Sequence, residues 1–237
     1  MLVAAAVCPC PPLLVPRVAA GAAAELDGAR AACADALGVL AAARPDLLVV
    51  VGPAERDGRG PYPQGTPGSF RGFGVDLDVR LGPGTDTAPE RELPPSLAVG
   101  AWLLERAGWA GAPVEGLGVG EPLAPRRCVE AGREIGTRAA RVGLLVMGDA
   151  SACRTLKAPG YLDERAAPFD TEAARALGAA DLAAIEALDP GLAHELKVSG
   201  RAPWQVLAGA AEHTGLKGTL LYEDAPYGVG YVVATWS

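Results

Sequence analysis

Three unbroken apolar runs, residues 2–7, 47–51 and 143–147, set the frame of the chain. Each is far too short to span a membrane, and none alternates with polar residues, which is the pattern of a strand buried on both faces of a parallel sheet. Each stops at residues that end a ladder. The first passes into Cys8-Pro9-Cys10-Pro11-Pro12, where three prolines have no amide hydrogen to give. The second ends at Gly52-Pro53-Ala54 and the third at Gly148-Asp149-Ala150-Ser151-Ala152-Cys153. Between the first two runs, residues 18–43 place apolar side chains at helical spacing, with Glu25, Asp27, Arg30 and Asp35 for the wet face and Gly28 as a kink point. Strand, helix, strand in this order implies a right-handed parallel crossover.

Further along, residues 75–81 alternate Val, Asp, Leu, Asp, Val, Arg, Leu, as a half-exposed strand near an edge does. Residues 94–107 and 126–140 read as helices and 114–119 as another strand. Four more helical segments follow, at 171–177, 181–188, 191–197 and 203–213. Residues 219–222 and 229–235 are two strands joined by a six-residue connection, an antiparallel hairpin. Residues 55–74 have no period and read as a long loop with little apolar surface to bury. The sum is an α/β fold: a three-layer sandwich with a central, mostly parallel but mixed sheet and a C-terminal β-hairpin, in one domain over residues 1–237.

Composition narrows the partners. With 237 residues, 50% of them hydrophobic and 21% charged, the chain can bury a large core. A net charge of −7 with no Lys/Arg block argues against nucleic acid and against an anionic membrane surface. The apolar N-terminus has no basic segment before it, which separates it from a secretory signal and points to the cytoplasm. Five cysteines, an odd number without framework spacing, suit a reducing compartment. Cys33 and Cys128 fall within helical patterns and read as core. The Gly-rich stretch at residues 116–122 is a strand end rather than a nucleotide loop, because no helix starts where a dinucleotide fold requires one.

In open α/β sheets ligands bind beyond the carboxyl ends of the strands, so the turns at Cys10, at Pro53-Ala54 and at Asp149 to Cys153 form one candidate rim. Four motifs, in order, carry a family signal: PCPPLLVP after the first strand, VVVGPA after the second, GDASACR after the third run, and YEDAPYGVGY in the hairpin. Together they resemble the class III extradiol ring-cleavage dioxygenases in their catalytic-subunit form, the LigB-like and Memo-like proteins, over most of the chain. The resemblance implies an oxidoreductase fold around non-haem Fe(II), held by two histidines and one carboxylate on one face of the metal. In that pattern the first histidine lies in PHPP, the second in a PH pair after the second strand, and the carboxylate in YEAPYG. A further histidine in GDxSH acts as acid/base.

On this chain the resemblance places Glu223 at the carboxylate, Cys10 and Ala54 at the two metal histidines, and Ala152 at the acid/base histidine, with Cys153 beside it. Asp149 and Ser151 match their positions. Cys10 and Glu223 are therefore the candidate metal ligands, and Asp149, Ser151 and Cys153 the candidate catalytic residues. Fe(II) is the cofactor the resemblance implies and zinc is the alternative. The expectation is nonetheless no resident cofactor, because Ala54 has no donor atom and one thiol with one carboxylate is a poor iron site.

Two readings stand side by side. In the first, the chain is a divergent extradiol dioxygenase-like protein with a degenerate metal site, binding a small molecule or a partner in the inherited cleft. In the second, it is an active metal- or thiol-dependent enzyme with a site rebuilt from Cys10, Asp149, Cys153 and Glu223. Each residue also has a plainer account: Cys10 as a small strand-end filler, Glu223 as a solvated turn residue, Asp149 as a cap of the following turn. His194 and His213, the only histidines, lie in helical segments far along the sequence from these turns and read as surface or helix-end residues. A homo-oligomer remains open. All four turns, including the one at Glu223, are expected to meet in a single cleft.

Overall fold

The computed structural model of the protein describes residues 1–84 and 91–237. The chain begins with β1 (Leu2–Cys8), a short α1 (Pro16–Ala19), a 3-10 stretch and α2 (Asp27–Ala42), then β2 (Leu47–Pro53). Three short strands follow, β3 (Gly60–Tyr62), β4 (Pro67–Ser69) and β5 (Asp78–Arg80), before α3 (Pro95–Arg106), β6 (Val114–Val119), α4 (Pro125–Gly136) and β7 (Val142–Met147). Four helices, α5 (Ala166–Ala179), α6 (Leu182–Glu186), α7 (Pro190–Glu195) and α8 (Arg201–Ala211), lead to the hairpin of β8 (Gly218–Asp224) and β9 (Tyr231–Trp236).

Seven strands form one sheet in the order β3-β6-β2-β7-β1-β9-β8. β6, β2, β7 and β1 run parallel; β3, β9 and β8 pair antiparallel to their neighbours. The three apolar runs are thus the central strands β2, β7 and β1, and their inner residues are buried on both faces. Their side chains alternate between two cores. Ala4, Ala6, Cys8, Leu48, Val50, Leu145 and Met147 pack on the α2 and α3 side, while Ala5, Val7, Val49, Val51, Leu144 and Val146 pack on the side of α5 and α8. The architecture is the mixed-sheet, helix-flanked sandwich with a closing hairpin that the pattern predicts. Among the described residues no helix is long and apolar enough to cross a membrane.

Three expectations need correction. The helix expected over residues 18–43 starts only at Asp27, because Ala20 takes a positive φ of 49° and the next residues wind as 3-10. An alanine-rich stretch has little side-chain surface with which to hold an α-helix against a neighbour, and here a side chain holds the turn instead. Arg30, expected on the wet face, is buried, and its guanidinium donates to Leu14 O (3.2 Å), to Ala23 O and to Asp27 Oδ1 (2.6 Å). The segment 55–74, expected as an aperiodic loop with little to bury, contains β3 and β4 and is anchored by Tyr62 and Phe70, both buried. Arg91 clamps it, donating to Arg59 O (2.9 Å) and Pro61 O (2.9 Å) while its guanidinium lies 4.1 Å from the centre of the Tyr62 ring. The alternating stretch 75–81 does yield a strand, β5, but β5 pairs with β4 in a separate two-stranded sheet, with Val79 buried between exposed Asp78 and Arg80.

Candidate functional site

A cleft of about 720 Å³ opens at the carboxyl ends of the parallel strands. Cys10 comes from the turn after β1, Pro53 and Ala54 from the end of β2, Glu121 from just beyond β6, and Val198 and Ser199 from the link between α7 and α8. Arg59, Tyr62 and Arg91 close one side, and His194 and Lys197 reach it from the end of α7. Cys10 and Ala54, the positions at which the resemblance places the metal histidines, therefore share one cleft.

The floor is tied together by backbone. The end of β7 must pass close to the Ser199-Gly200 turn, and Gly148 permits it: a Cβ there would stand 3.2 Å from Gly200 N and closer still to its Cα. The contact is sealed by Asp149 N donating to Ser199 Oγ (2.9 Å) and Gly200 N donating to Asp149 O (2.9 Å). Cys10 N donates to Asp149 Oδ1 (2.8 Å), so the Asp149 carboxylate sits directly behind the Cys10 turn. Burial pushes the Asp149 pKa up to about 7, against the stabilising Cys10 amide. Burial also pushes the Cys10 thiol well up, helped by the nearby Asp149 charge and opposed by a hydrogen bond with Ser199. The thiol is thus held protonated and poorly nucleophilic at neutral pH. Tyr231, buried on β9, has its phenol pushed up by burial and then by Asp149.

The raised Asp149 pKa has a stability consequence whose sign is fixed. The native protein holds this proton up to about pH 7, whereas an ordinary aspartate loses it near 3.8, so native protein binds more protons in between and stability falls as pH rises through that window. Asp149→Asn keeps the oxygen that accepts from Cys10 N and stays neutral. We expect the variant to gain on wild type between pH 4 and 7 and to be about 2 kcal/mol more stable at pH 8, allowing for the partly accessible edge of the carboxylate. Urea unfolding at several pH values measures this; a gap that does not change with pH would contradict it.

The other candidate residues lie apart from the cleft. Ser151 is buried, its amide and hydroxyl both donating to Asp170 (2.8 Å each), which also takes a salt bridge from Arg154 at 3.0 Å. Burial raises the Asp170 pKa against these three donors. The set fastens the turn after β7 to α5. Cys153 is buried in the core on the α5 and α8 side, whereas Cys10 belongs to the opposite core; the Cys153 thiol donates to Leu196 O at 3.4 Å, and burial raises its pKa. Glu223, expected at the same rim as Cys10, lines a separate surface recess with Arg154, Thr155 and Asp224. The reason is strand parity. Glu223 pairs with Val232, whose side chain faces α5 and α8, while Tyr222 pairs with Val233 and faces the Cys10 side.

An iron centre of the kind the resemblance implies needs three donors aimed at one point. Ala54 offers none, and Glu223 stands in a different recess from Cys10. Among the described residues no three His, Cys, Asp or Glu side chains converge as a metal site. The residues present do not fit the two-histidine, one-carboxylate iron centre, nor a zinc site made from Cys10, Cys153 and Glu223.

Several cleft groups were not expected from the sequence, Glu121 and His194 among them. Glu121 follows β6 directly, so the rule that ligands gather at strand carboxyl ends was the signal for it. Its Oε1 lies 3.2 Å from Nη2 of Arg201, a fully buried guanidinium that also donates to Leu123 O (2.7 Å) and Gln205 Oε1 (3.0 Å). Its Oε2 lies 3.7 Å from His194 Nδ1. His194 is the exposed helix-end residue expected, yet it belongs to the cleft wall, and nothing local in the sequence connects it with β6.

No protein-family model matches the chain, and no curated protein matches it. Among solved structures, the crystal structure of uncharacterized protein JW3007 from Escherichia coli K12 is similar to it, with a TM-score of 0.55 and 14% sequence identity over 99% of this chain and 100% of that one. That likeness shows the fold alone.

Proposed function

We propose that this chain is a divergent extradiol dioxygenase-like protein, LigB-like in its motifs, that works in the cytoplasm by binding a small ligand in the cleft at the carboxyl ends of β1, β2, β6 and β7, without ring-cleaving Fe(II) chemistry. The observation that carries the reading is that Cys10 and Ala54, from separate turns, line one cleft with Asp149 fastened behind it, while among the described residues no set of metal donors converges there. A rebuilt metal- or thiol-dependent site is the weaker reading, since it calls for Cys10, Cys153 and Glu223 together, and these occupy opposite cores and a separate recess.

Purified protein treated with Fe(II) under anaerobic conditions and desalted is expected to retain well below one iron per chain, and to consume no oxygen with catechol. Retention of one tightly held iron per chain together with catechol-dependent oxygen uptake would overturn the proposal.

A further inference from the structure

Arg59 stands at the cleft in an arrangement that its own loop does not explain. Its guanidinium lies against the end of β6 at Gly120, where a Cβ would come to 2.6 Å from Cζ and closer to Nε. Any residue but glycine at 120 would push it away. The loop that carries Arg59 is fixed from behind, since Arg91 binds the Arg59 carbonyl and its neighbours and stacks on Tyr62. Among the described residues the Arg59 guanidinium enters no ion pair. Lys197 is a second exposed cation in the same cleft and is equally absent from those pairs.

The half-buried carboxylate of the cleft, Glu121, is already engaged by buried Arg201. The remaining acids of the cleft, Glu55, Asp57 and Glu92, are exposed. The walls between these charges are largely apolar, with Pro53, Pro94, Pro95 and Pro122 among them. A planar fork of donors held over a strand end, with a second cation in a proline-walled cleft, suits an oxyanion carried on an apolar body.

We propose that the ligand of this cleft is a small organic anion whose carboxylate or phosphate is bound by Arg59 above Gly120, with Lys197 as the second cation. The inference rests on the cleft being the ligand site and adds the charge and polarity of what enters it.

The test is an amide chemical-shift titration of the full chain, isotopically labelled, with benzoate, phenyl phosphate and the neutral benzamide at matched ionic strength. Benzoate or phenyl phosphate should shift the amides of Cys10, Gly120 and Ser199 in a saturable way, with benzamide about tenfold weaker, as the loss of one charge-assisted contact implies. The tighter of the two anions identifies the oxyanion. Arg59→Gln, at an exposed side chain, should remove the preference for the anion over benzamide, and Gly120→Ala should weaken it by displacing the guanidinium.

Benzamide binding as tightly as the anions would overturn the inference and leave the cleft standing as a ligand site. Anion binding unchanged in Arg59→Gln would likewise overturn it. If none of the three probes shifts the cleft amides, both this inference and the reading on which it rests fall.

Discussion

Gly132→Ala is expected to destabilise the protein by about 4 kcal/mol, although alanine is the better helix former. Gly132 lies on α4 where it crosses α8, and a Cβ there would fall far inside van der Waals contact with the Val206 carbonyl oxygen and stand 2.6 Å from Ala210 N. The obstacle is backbone, which cannot swing aside as a side-chain tip can. The crossing is reciprocal, because a Cβ on Gly209 of α8 would meet the Val129 carbonyl of α4. To admit the methyl group the helices must separate, and Cys128, Ile135, Val206 and Leu207 then lose close packing. Overpacking ordinarily costs roughly 1–3 kcal/mol, and a clash with a second helix's main chain belongs beyond the upper end of that range. Gly38→Ala is the control: it sits in α2, where a Cβ meets nothing within 4 Å among the described residues, and should stabilise by about 1 kcal/mol. Urea midpoints at unchanged slope measure both. A Gly132→Ala variant as stable as wild type would mean that the helices do not cross this closely.

The second large effect is expected at Arg201, which is fully buried. Arg201→Met removes the counter-charge of Glu121 and the donors to Leu123 O and Gln205 Oε1 in one step. Breaking a buried pair from one side costs about 3–5 kcal/mol, because the partner is left uncompensated, and the partial exposure of Glu121 puts this case near 3. Among the described residues the Arg201 Nε has no hydrogen-bond partner, so the arginine is itself imperfectly satisfied, and removing both charges is less costly than removing one. The double variant Arg201→Met/Glu121→Gln should therefore recover more than about 1 kcal/mol of the loss. Strictly additive single and double variants would show that Arg201 does not hold Glu121.

The sequence is most legible where one physical effect decides the structure. The runs at 2–7, 47–51 and 143–147 have no polar face, so only the middle of a sheet accommodates them, and they lie side by side in β1, β2 and β7. The turns at Cys10 and Asp149 were legible for a related reason: proline and glycine end the strands abruptly, and strand ends in a parallel sheet share a rim.

Elsewhere the decisive contact was distant. β3 and β4 are three residues each and carry glycine and proline, and they depend on Tyr62, Phe70 and an arginine roughly thirty residues on, which no local period reveals. The placing of Glu223 turned on a single irregularity. The β8–β9 register shifts between Leu220 and Tyr222, and a bulge of one residue exchanges the faces of everything after it, so no reading of the hairpin as a regular strand could tell which face Glu223 takes. Arg59 and His194 reach the cleft only through tertiary packing.

The cleft lies over Cys10 and Ala54, and the proposal that it holds no iron centre is tested most directly by anomalous diffraction at the iron edge from crystals grown anaerobically with Fe(II). We predict no iron peak between Cys10 and Ala54, with Glu223 in the recess beside Arg154 and Thr155. A strong peak between those two positions, with Glu223 turned in to reach it, would show an iron centre where none is proposed.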